Sequence, residues 1–156
     1  MFNIINIKKF YRYVKILGFS RTYVKTIGRL RTNYLPRLPF AKLKFNKKNI
    51  AIIGAGQFSF STIGYFLKLN FGNAIYGVFD INDKNSESFS RYYRCKKFKN
   101  ANQLIEDDNV KYVYIASNHH SHSKYAIKAI NEEKIVYCEK PISVNNSQFI
   151  DLLDNI

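Results

Sequence analysis

The apolar residues of the chain recur at one spacing near its start and in a different pattern from residue 50 onward. Near the start, residues 8–17 and 21–31 are predicted to form two short helices, with Ser20 as the N-cap of the second. The apolar residues that recur there at helical spacing are Phe10, Val14, Leu17, Val24, Ile27 and Leu30. Residues 33–48 contain two prolines, which end helical structure, and are predicted to form a linker.

From residue 50 onward, short apolar runs alternate with longer segments of helical periodicity. The runs predict buried strands over residues 50–53, 74–79, 112–116 and 135–138. The segments between and after them predict helices over residues 57–70, 84–94, 101–106, 120–132 and from Asn145 or Asn146 to the end. This alternation is typical of an α/β fold, and right-handed crossovers would make it a doubly wound, Rossmann-like parallel sheet.

Charge divides the chain into the same two parts. Of its 156 residues, 25 are basic and 11 are acidic, and the hydrophobic content of 46% excludes a disordered chain. The first acidic residue is Asp80, and 13 basic residues lie within residues 1–48, whereas residues 80–156 carry equal numbers of both signs. We therefore expect a basic helical extension and linker over residues 1–48 and a globular domain over residues 49–156.

The cysteine content and the hydropathy of the chain indicate the cellular compartment in which the protein is expected. Two cysteines, Cys95 and Cys138, cannot build a disulfide scaffold, and free thiols are expected. No apolar run approaches the roughly 18 residues that a membrane span needs. The apolar start precedes Lys8 and Lys9, the reverse of the order in a secretory signal, so we expect a cytoplasmic protein.

The first candidate site lies between the first predicted strand and helix, in the run Gly54-Ala55-Gly56-Gln57-Phe58-Ser59. Gly54 would permit a tight turn, and Gly56, without a Cβ, would let the backbone approach a pyrophosphate at a helix N-terminus. Ser59 stands where the dinucleotide fingerprint has its third glycine, so it either packs in the helix–strand contact or bonds a phosphate. The alternative is an ordinary tight turn.

The second candidate is Asp80, which follows the second predicted strand 26 residues after Gly54. A carboxylate there can accept hydrogen bonds from both hydroxyls of an adenosine ribose, and it would repel a 2′-phosphate. NAD is therefore favoured over NADP, although Lys84 and Arg91 are near enough in sequence to keep NADP open. The alternative is a solvated aspartate in a turn.

The third candidate site is the polar run that follows the strand ending near Ala116 and contains three histidines. Ligands of open α/β sheets bind beyond the carboxyl ends of the strands, which is where this run would lie. His119, His120 and His122 do not line one helix face, and no acidic or cysteine ligand is near in sequence, so no metal site is predicted. Helix capping and packing is the alternative role.

The fourth candidate site is Glu139-Lys140-Pro141, directly after the last predicted strand. A lysine at the carboxyl end of a strand points into the same crevice as the other sites. The ammonium of Lys140 could donate to a substrate oxygen or shuttle a proton. The alternative is a structural turn.

Together the four sites resemble the N-terminal half of the glucose–fructose oxidoreductase / inositol dehydrogenase / MocA family. The resemblance covers residues 49–156 and rests on three motifs, namely Gly54-Ala55-Gly56 with Asp80, Ile115-Ala116-Ser117 with His122 and Ala126, and Ile135-Val136-Tyr137-Cys138-Glu139-Lys140-Pro141. It implies hydride transfer between NAD(P) and a hydroxyl of a sugar or polyol. It also implies a cis peptide bond at Pro141.

The resemblance assigns roles to particular residues. Lys140 would contact the reacting oxygen and is the implied catalytic residue. The implied cofactor-binding residues are Gly54, Gly56, Gln57 and Phe58 at the pyrophosphate, Asp80 at the ribose, Ser117, Asn118, His119 and His122 along the middle, and Glu139 and Lys140 near the nicotinamide.

The resemblance also implies a second domain that supplies the substrate pocket, and the chain stops at Ile156 without one. We therefore expect a truncated or partial enzyme, which would take a sugar or polyol substrate only if a second domain were supplied. One alternative is a non-catalytic nucleotide-binding module. Another, not favoured, is binding of an anionic membrane or nucleic acid through residues 1–48.

Overall fold

The computed structural model describes residues 4–31 and 47–156, and its centre is a five-stranded parallel sheet with helices on both faces. The strands, in spatial order β3-β2-β1-β4-β5, are β1 (Ile50–Ile53), β2 (Ile75–Phe79), β3 (Lys96–Lys97), β4 (Tyr112–Ile115) and β5 (Ile135–Cys138). Chain order reverses direction between β3 and β4, which places the crossover helices on both faces. The predicted doubly wound, Rossmann-like fold is confirmed.

Helices occur in each segment where helical periodicity predicted them. They are α1 (Ile4–Leu17), α2 (Phe19–Leu30), α3 (Gly64–Phe71), α4 (Asp83–Tyr93), α5 (Ala101–Ile105), α6 (His122–Asn131) and α7 (Asn146–Leu153). A π-helical turn, Ser59–Ile63, leads into α3, and a 3-10 turn, His119–Ser121, leads into α6. Asn145 caps α7, because its side chain accepts a hydrogen bond from the N–H of Gln148.

The predicted N-cap of the second helix is wrong. Gly18 occupies that position with φ 79°, a left-handed conformation that glycine adopts without strain. The hydroxyl of Ser20 instead lies within the helix and accepts a 3.2 Å hydrogen bond from the hydroxyl of Tyr65. Ser20 therefore joins α2 to α3 and does not cap α2.

The side chains of each strand point alternately to the two faces of the sheet, and an apolar core lies on each face. Ile52 of β1 points to one face, where it meets buried residues of α2, the π-helical turn and α4. Ala51 and Ile53 point to the other face, where α5, α6 and α7 pack. The sheet is thus covered on both sides, as the continuous apolar runs predicted.

Helix α2 belongs to the first of these cores. Val24 and Ile27 are buried against the π-helical turn, and a Cβ on Gly28 would lie only 2.8 Å from Cδ1 of Phe60. Residues 32–46, which include most of the predicted linker, lie outside the described residues. Within the two described stretches, no helix is both long and apolar enough to cross a membrane.

Candidate functional site

The loop after β1 has the backbone shape that the glycine motif predicted. Gly54 has φ 95°, and a Cβ there would overlap the backbone of Ala116, so both conformation and space require glycine. At Gly56 an added Cβ would meet no atom within 4 Å. The backbone at Gly56 therefore borders open space that a ligand can enter.

That open space is a cavity of about 290 Å³ at the carboxyl ends of β1, β2 and β4. Five of the predicted site residues line it, namely Gly54, Gly56, Asp80, Ser117 and Asn118. Ser121, which belongs to the polar run of the third candidate site, also lines it, as do Ile81 and Tyr125, which were not predicted. Tyr125 lies three residues after the motif histidine His122, and residues at this spacing are neighbours on a helix surface. That spacing is the feature of the sequence from which Tyr125 could have been identified.

Asp80 is tied to the glycine loop by its carboxylate. Oδ2 accepts a 2.6 Å hydrogen bond from the N–H of Ala55, and Oδ1 accepts a 2.7 Å bond from the N–H of Asn82. A carboxylate has about four lone-pair positions, so each oxygen can still accept one more hydrogen bond. This arrangement fits a pair of ribose hydroxyls, and the open backbone at Gly56 fits a pyrophosphate.

Gln57, Phe58 and Ser59 begin the helix that follows the loop. The side chain of Gln57 turns away from the cavity and donates a 2.9 Å hydrogen bond to the carbonyl oxygen of Lys25 in α2. Phe58 is 52% exposed, whereas Ser59 is buried and its hydroxyl has no hydrogen-bond partner among the described residues. What these residues can present to a ligand is therefore the backbone at the N-terminus of the helix. Of the two roles considered for Ser59, its burial favours packing over a bond to a phosphate.

The histidines of the third motif have different environments. His122 is fully buried, with Nδ1 at 2.8 Å from the carbonyl oxygen of Pro141 and Nε2 at 3.1 Å from that of Ser117. His119 and His120 are exposed, and the ring of His119 lies edge-on to that of His122 at 5.5 Å. Over residues 4–31 and 47–156, no group of three or more histidine, cysteine or acidic side chains is placed to hold a metal.

The fourth motif lies beside the third because β5 pairs with β4. Oε1 of Glu139 accepts a 2.6 Å hydrogen bond from the hydroxyl of Tyr114. Burial raises the pKa of Tyr114 to about 12, and the hydrogen bond and charge of Glu139 act in the same direction. Lys140 is exposed, and the Lys140–Pro141 peptide bond is cis, as the resemblance implied.

Arg31, at the end of α2, reaches the same loop and was missed. Nη2 donates a 2.6 Å hydrogen bond to the carbonyl oxygen of Ala55, and Nη1 donates a 2.8 Å bond to Oγ of Ser88 in α4. Burial lowers the pKa of Arg31, and the charge of Asp80 opposes that effect. No sequence motif pointed to Arg31, because it lies outside the part of the chain that carries the resemblance.

Comparison with known proteins gives a family match over the sheet domain. The family model GFO_IDH_MocA, described as "Oxidoreductase family, NAD-binding Rossmann fold", matches residues 48–155. The chain is 34% identical over 98 residues to glucose-6-phosphate 3-dehydrogenase of Bacillus subtilis, covering 63% of this chain and 27% of that protein. It is 32% identical over 97 residues to myo-inositol 2-dehydrogenase of Thermotoga maritima, covering 62% of this chain and 29% of that protein.

Solved structures show the same relationship. A probable dehydrogenase from Thermotoga maritima superposes with a TM-score of 0.63 at 27% identity, over 69% of this chain and 32% of that one. The chain thus spans less than a third of the length of these proteins. None of the comparisons supports the alternative in which residues 1–48 bind an anionic membrane or nucleic acid.

Proposed function

The chain belongs to the GFO/IDH/MocA oxidoreductase family, and we propose that it supplies the NAD(P)-binding site of an enzyme acting on a hydroxyl of a sugar or polyol. The family's NAD-binding Rossmann domain is present over residues 48–155. The names of two relatives specify a glucose 6-phosphate and a myo-inositol dehydrogenase, and these names support the proposed substrate class.

The hydrogen bond between Asp80 and the N–H of Ala55 is the observation that carries the proposal. It joins a carboxylate at the end of β2 to the glycine loop at the end of β1, and both border one cavity. Asp80 would accept hydrogen bonds from the adenosine ribose while the backbone at Gly56 and the following helix start face the pyrophosphate. Gln57 and Phe58 would contribute main chain there.

The remaining candidate residues extend from that cavity toward β5. The middle of the dinucleotide would be lined by Ser117, Asn118 and His119. The buried side chain of His122 would hold their loop in place through its contact with the carbonyl oxygen of Ser117. Glu139 and Lys140 follow β5, and the exposed ammonium of Lys140 would donate to the reacting oxygen. When bound, the nicotinamide supplies or accepts the hydride.

Asp80 also supports NAD as the preferred cofactor. Its carboxylate can accept hydrogen bonds from ribose hydroxyls, and its negative charge disfavours a 2′-phosphate at the same place. NADP is the second cofactor that the family allows.

We also propose the cytoplasm as the compartment. Cys95 and Cys138 are both free thiols, and free thiols persist in a reducing compartment.

Titration of the full chain with NADH, followed by the fluorescence of the reduced nicotinamide, tests the proposed function. Asp80→Asn removes the charge with little change in shape and should raise the Kd for NADH at least about tenfold, because hydrogen bonds to charged groups contribute roughly 1.5–3 kcal/mol. The matched control is Asp83→Asn, whose carboxylate lies at the start of α4 and is 81% exposed. If the folded wild-type chain binds neither NADH nor NADPH, the proposed function is wrong.

A further inference from the structure

We propose that Arg31 is a specificity-determining residue of the dinucleotide site, whose positive charge beside Asp80 lets the site hold the 2′-phosphate of NADP as well as the 2′-hydroxyl of NAD. This inference rests on the proposed function. Arg31 lies before residue 48, where the family match begins, so the extension would contribute to a site that otherwise belongs to the sheet domain.

The first support is that Arg31 and Asp80 bond to the same residue of the glycine loop. The guanidinium donates to the carbonyl oxygen of Ala55 at 2.6 Å, and the N–H of Ala55 donates to Oδ2 of Asp80 at 2.6 Å. The backbone of a single residue therefore sets the spacing between the cation and the anion. Any group that reaches the carboxylate from the ribose end also comes into the field of the guanidinium.

The second support is that the guanidinium is held in place from three sides. Nη1 donates to Oγ of Ser88 at 2.8 Å, and the guanidinium carbon lies 4.8 Å from the ring centroid of Phe60. The backbone of Arg31 ends α2 in a left-handed conformation, with its N–H donating to the carbonyl oxygen of Ile27. The half-buried cation is thus fixed before any ligand arrives, which lowers the entropic cost of binding an anion.

The third support concerns the other cations near this end of the site. Arg91 donates a 2.9 Å hydrogen bond to Oε1 of Glu87, and it is therefore paired on the outer surface of α4. Lys84 is exposed at the start of the same helix. Arg31, by contrast, donates a hydrogen bond directly to the glycine loop, at the carbonyl oxygen of Ala55.

The charge balance then explains how one site could take both cofactors. With Arg31 present, the negative charge of Asp80 is offset by a nearby positive charge. Without it, a 2′-phosphate of about −2 charge would face an uncompensated carboxylate and would be repelled. A neutral 2′-hydroxyl is much less sensitive to this change.

The test measures the Kd of the full chain for NADH and NADPH by nicotinamide fluorescence. Arg31→Gln should raise the Kd for NADPH about tenfold more than the Kd for NADH, because only NADPH carries the additional charge. Arg29→Gln, exposed in the last turn of α2, is the matched control and should change neither value. Equal weakening of both ligands, or no change in their ratio, would overturn the inference and leave Arg31 as a loop anchor.

Two further variants keep the test decisive if Arg31→Gln does not fold. Arg31→Lys retains the charge and should keep the NADPH-to-NADH ratio within about twofold of wild type, although it loses the forked hydrogen bonds. Asp80→Asn should move the ratio toward NADPH, because the guanidinium then acts unopposed. Failure of either expectation overturns the inference. Wild-type binding of NADH without NADPH does so as well, and binding of neither ligand instead refutes the proposed function.

Discussion

Nδ1 of His122 lies 2.8 Å from the carbonyl oxygen of Pro141, and this contact joins the loops that follow β4 and β5. The other ring nitrogen lies 3.1 Å from the carbonyl oxygen of Ser117, and the side chain is fully buried. Each ring nitrogen thus faces a carbonyl oxygen, to which it can donate when it carries a hydrogen. The motif histidine therefore acts as a brace between the backbone at Ser117 and the backbone at Pro141, the residue after Lys140.

Replacing this brace should reduce stability. His122→Ala removes a buried ring and leaves a cavity, so we expect the free energy of unfolding to fall by about 3 kcal/mol. Urea denaturation followed by circular dichroism measures the change. His120→Ala is the matched control, since that side chain is exposed in the preceding turn, and it should cost less than about 0.5 kcal/mol. Similar losses for both variants would contradict the brace.

The two glycines of the loop after β1 should respond in opposite ways to alanine. Gly56→Ala places a methyl group in open space, so folding should be unchanged while the Kd for NADH rises at least about tenfold, a cost of about 1.4 kcal/mol. Gly54→Ala meets the backbone of Ala116 at a positive φ and should lower the free energy of unfolding by about 3 kcal/mol. Nicotinamide fluorescence and urea denaturation separate the two effects. Loss of stability without loss of binding for Gly56→Ala would contradict the assigned role.

Strands with a continuous apolar pattern could be predicted from sequence, and the one without such a pattern could not. β1 has the sequence Ile-Ala-Ile-Ile and is buried on both faces, so its pattern is local. β3 consists of Lys96 and Lys97, which gives no such pattern. It is held in place by tertiary contacts, because the N–H of Phe98 donates to the carbonyl oxygen of Val78 and its ring fills the space above Gly77.

The same distinction holds for the candidate site. Gly54 and Asp80 could be found because a tight turn and a strand-end carboxylate leave a signal in the local sequence. Arg31 could not be found, since it reaches the loop only through the packing of α2 on the π-helical turn. That packing also turns the side chain of Gln57 toward α2, a direction that no local pattern reveals.

The pair formed by Tyr114 and Glu139 should make stability depend on alkaline pH. The pKa of Tyr114 is about 12 in the folded chain and near 10 when unfolded, so its neutral form stabilises the folded state fully below pH 10. That stabilisation is lost as the pH rises from 10 toward 12, because the unfolded chain loses the proton first. We expect Tyr114→Phe to lose less stability than wild type over this range.

Urea denaturation of wild type and Tyr114→Phe at several pH values from neutral to strongly alkaline measures this difference. Tyr137→Phe is the control, since Tyr137 stacks near Tyr114 at 6.2 Å between ring centroids but is 55% exposed. Its pH profile should follow that of wild type. Parallel profiles for Tyr114→Phe and wild type would show that the hydroxyl of Tyr114 does not contribute as the geometry indicates.

Whether α2 stabilises the sheet domain can be decided with two substitutions on that one helix. Val24 is fully buried in the same core as Ile52 and Phe60, whereas Leu30 is 58% exposed. Val24→Ala removes two methyl-sized groups from this core and should lower the free energy of unfolding of the whole chain by about 2 kcal/mol, while Leu30→Ala should change it by less than about 0.5 kcal/mol. We expect a single urea transition, which circular dichroism and tyrosine fluorescence report equally, and we expect Val24→Ala to shift it to lower urea concentration. The reason is that a helix that shares a core unfolds together with that core. If Val24→Ala leaves that transition unchanged, α2 does not stabilise the domain, and the position of Arg31 beside the glycine loop loses its support.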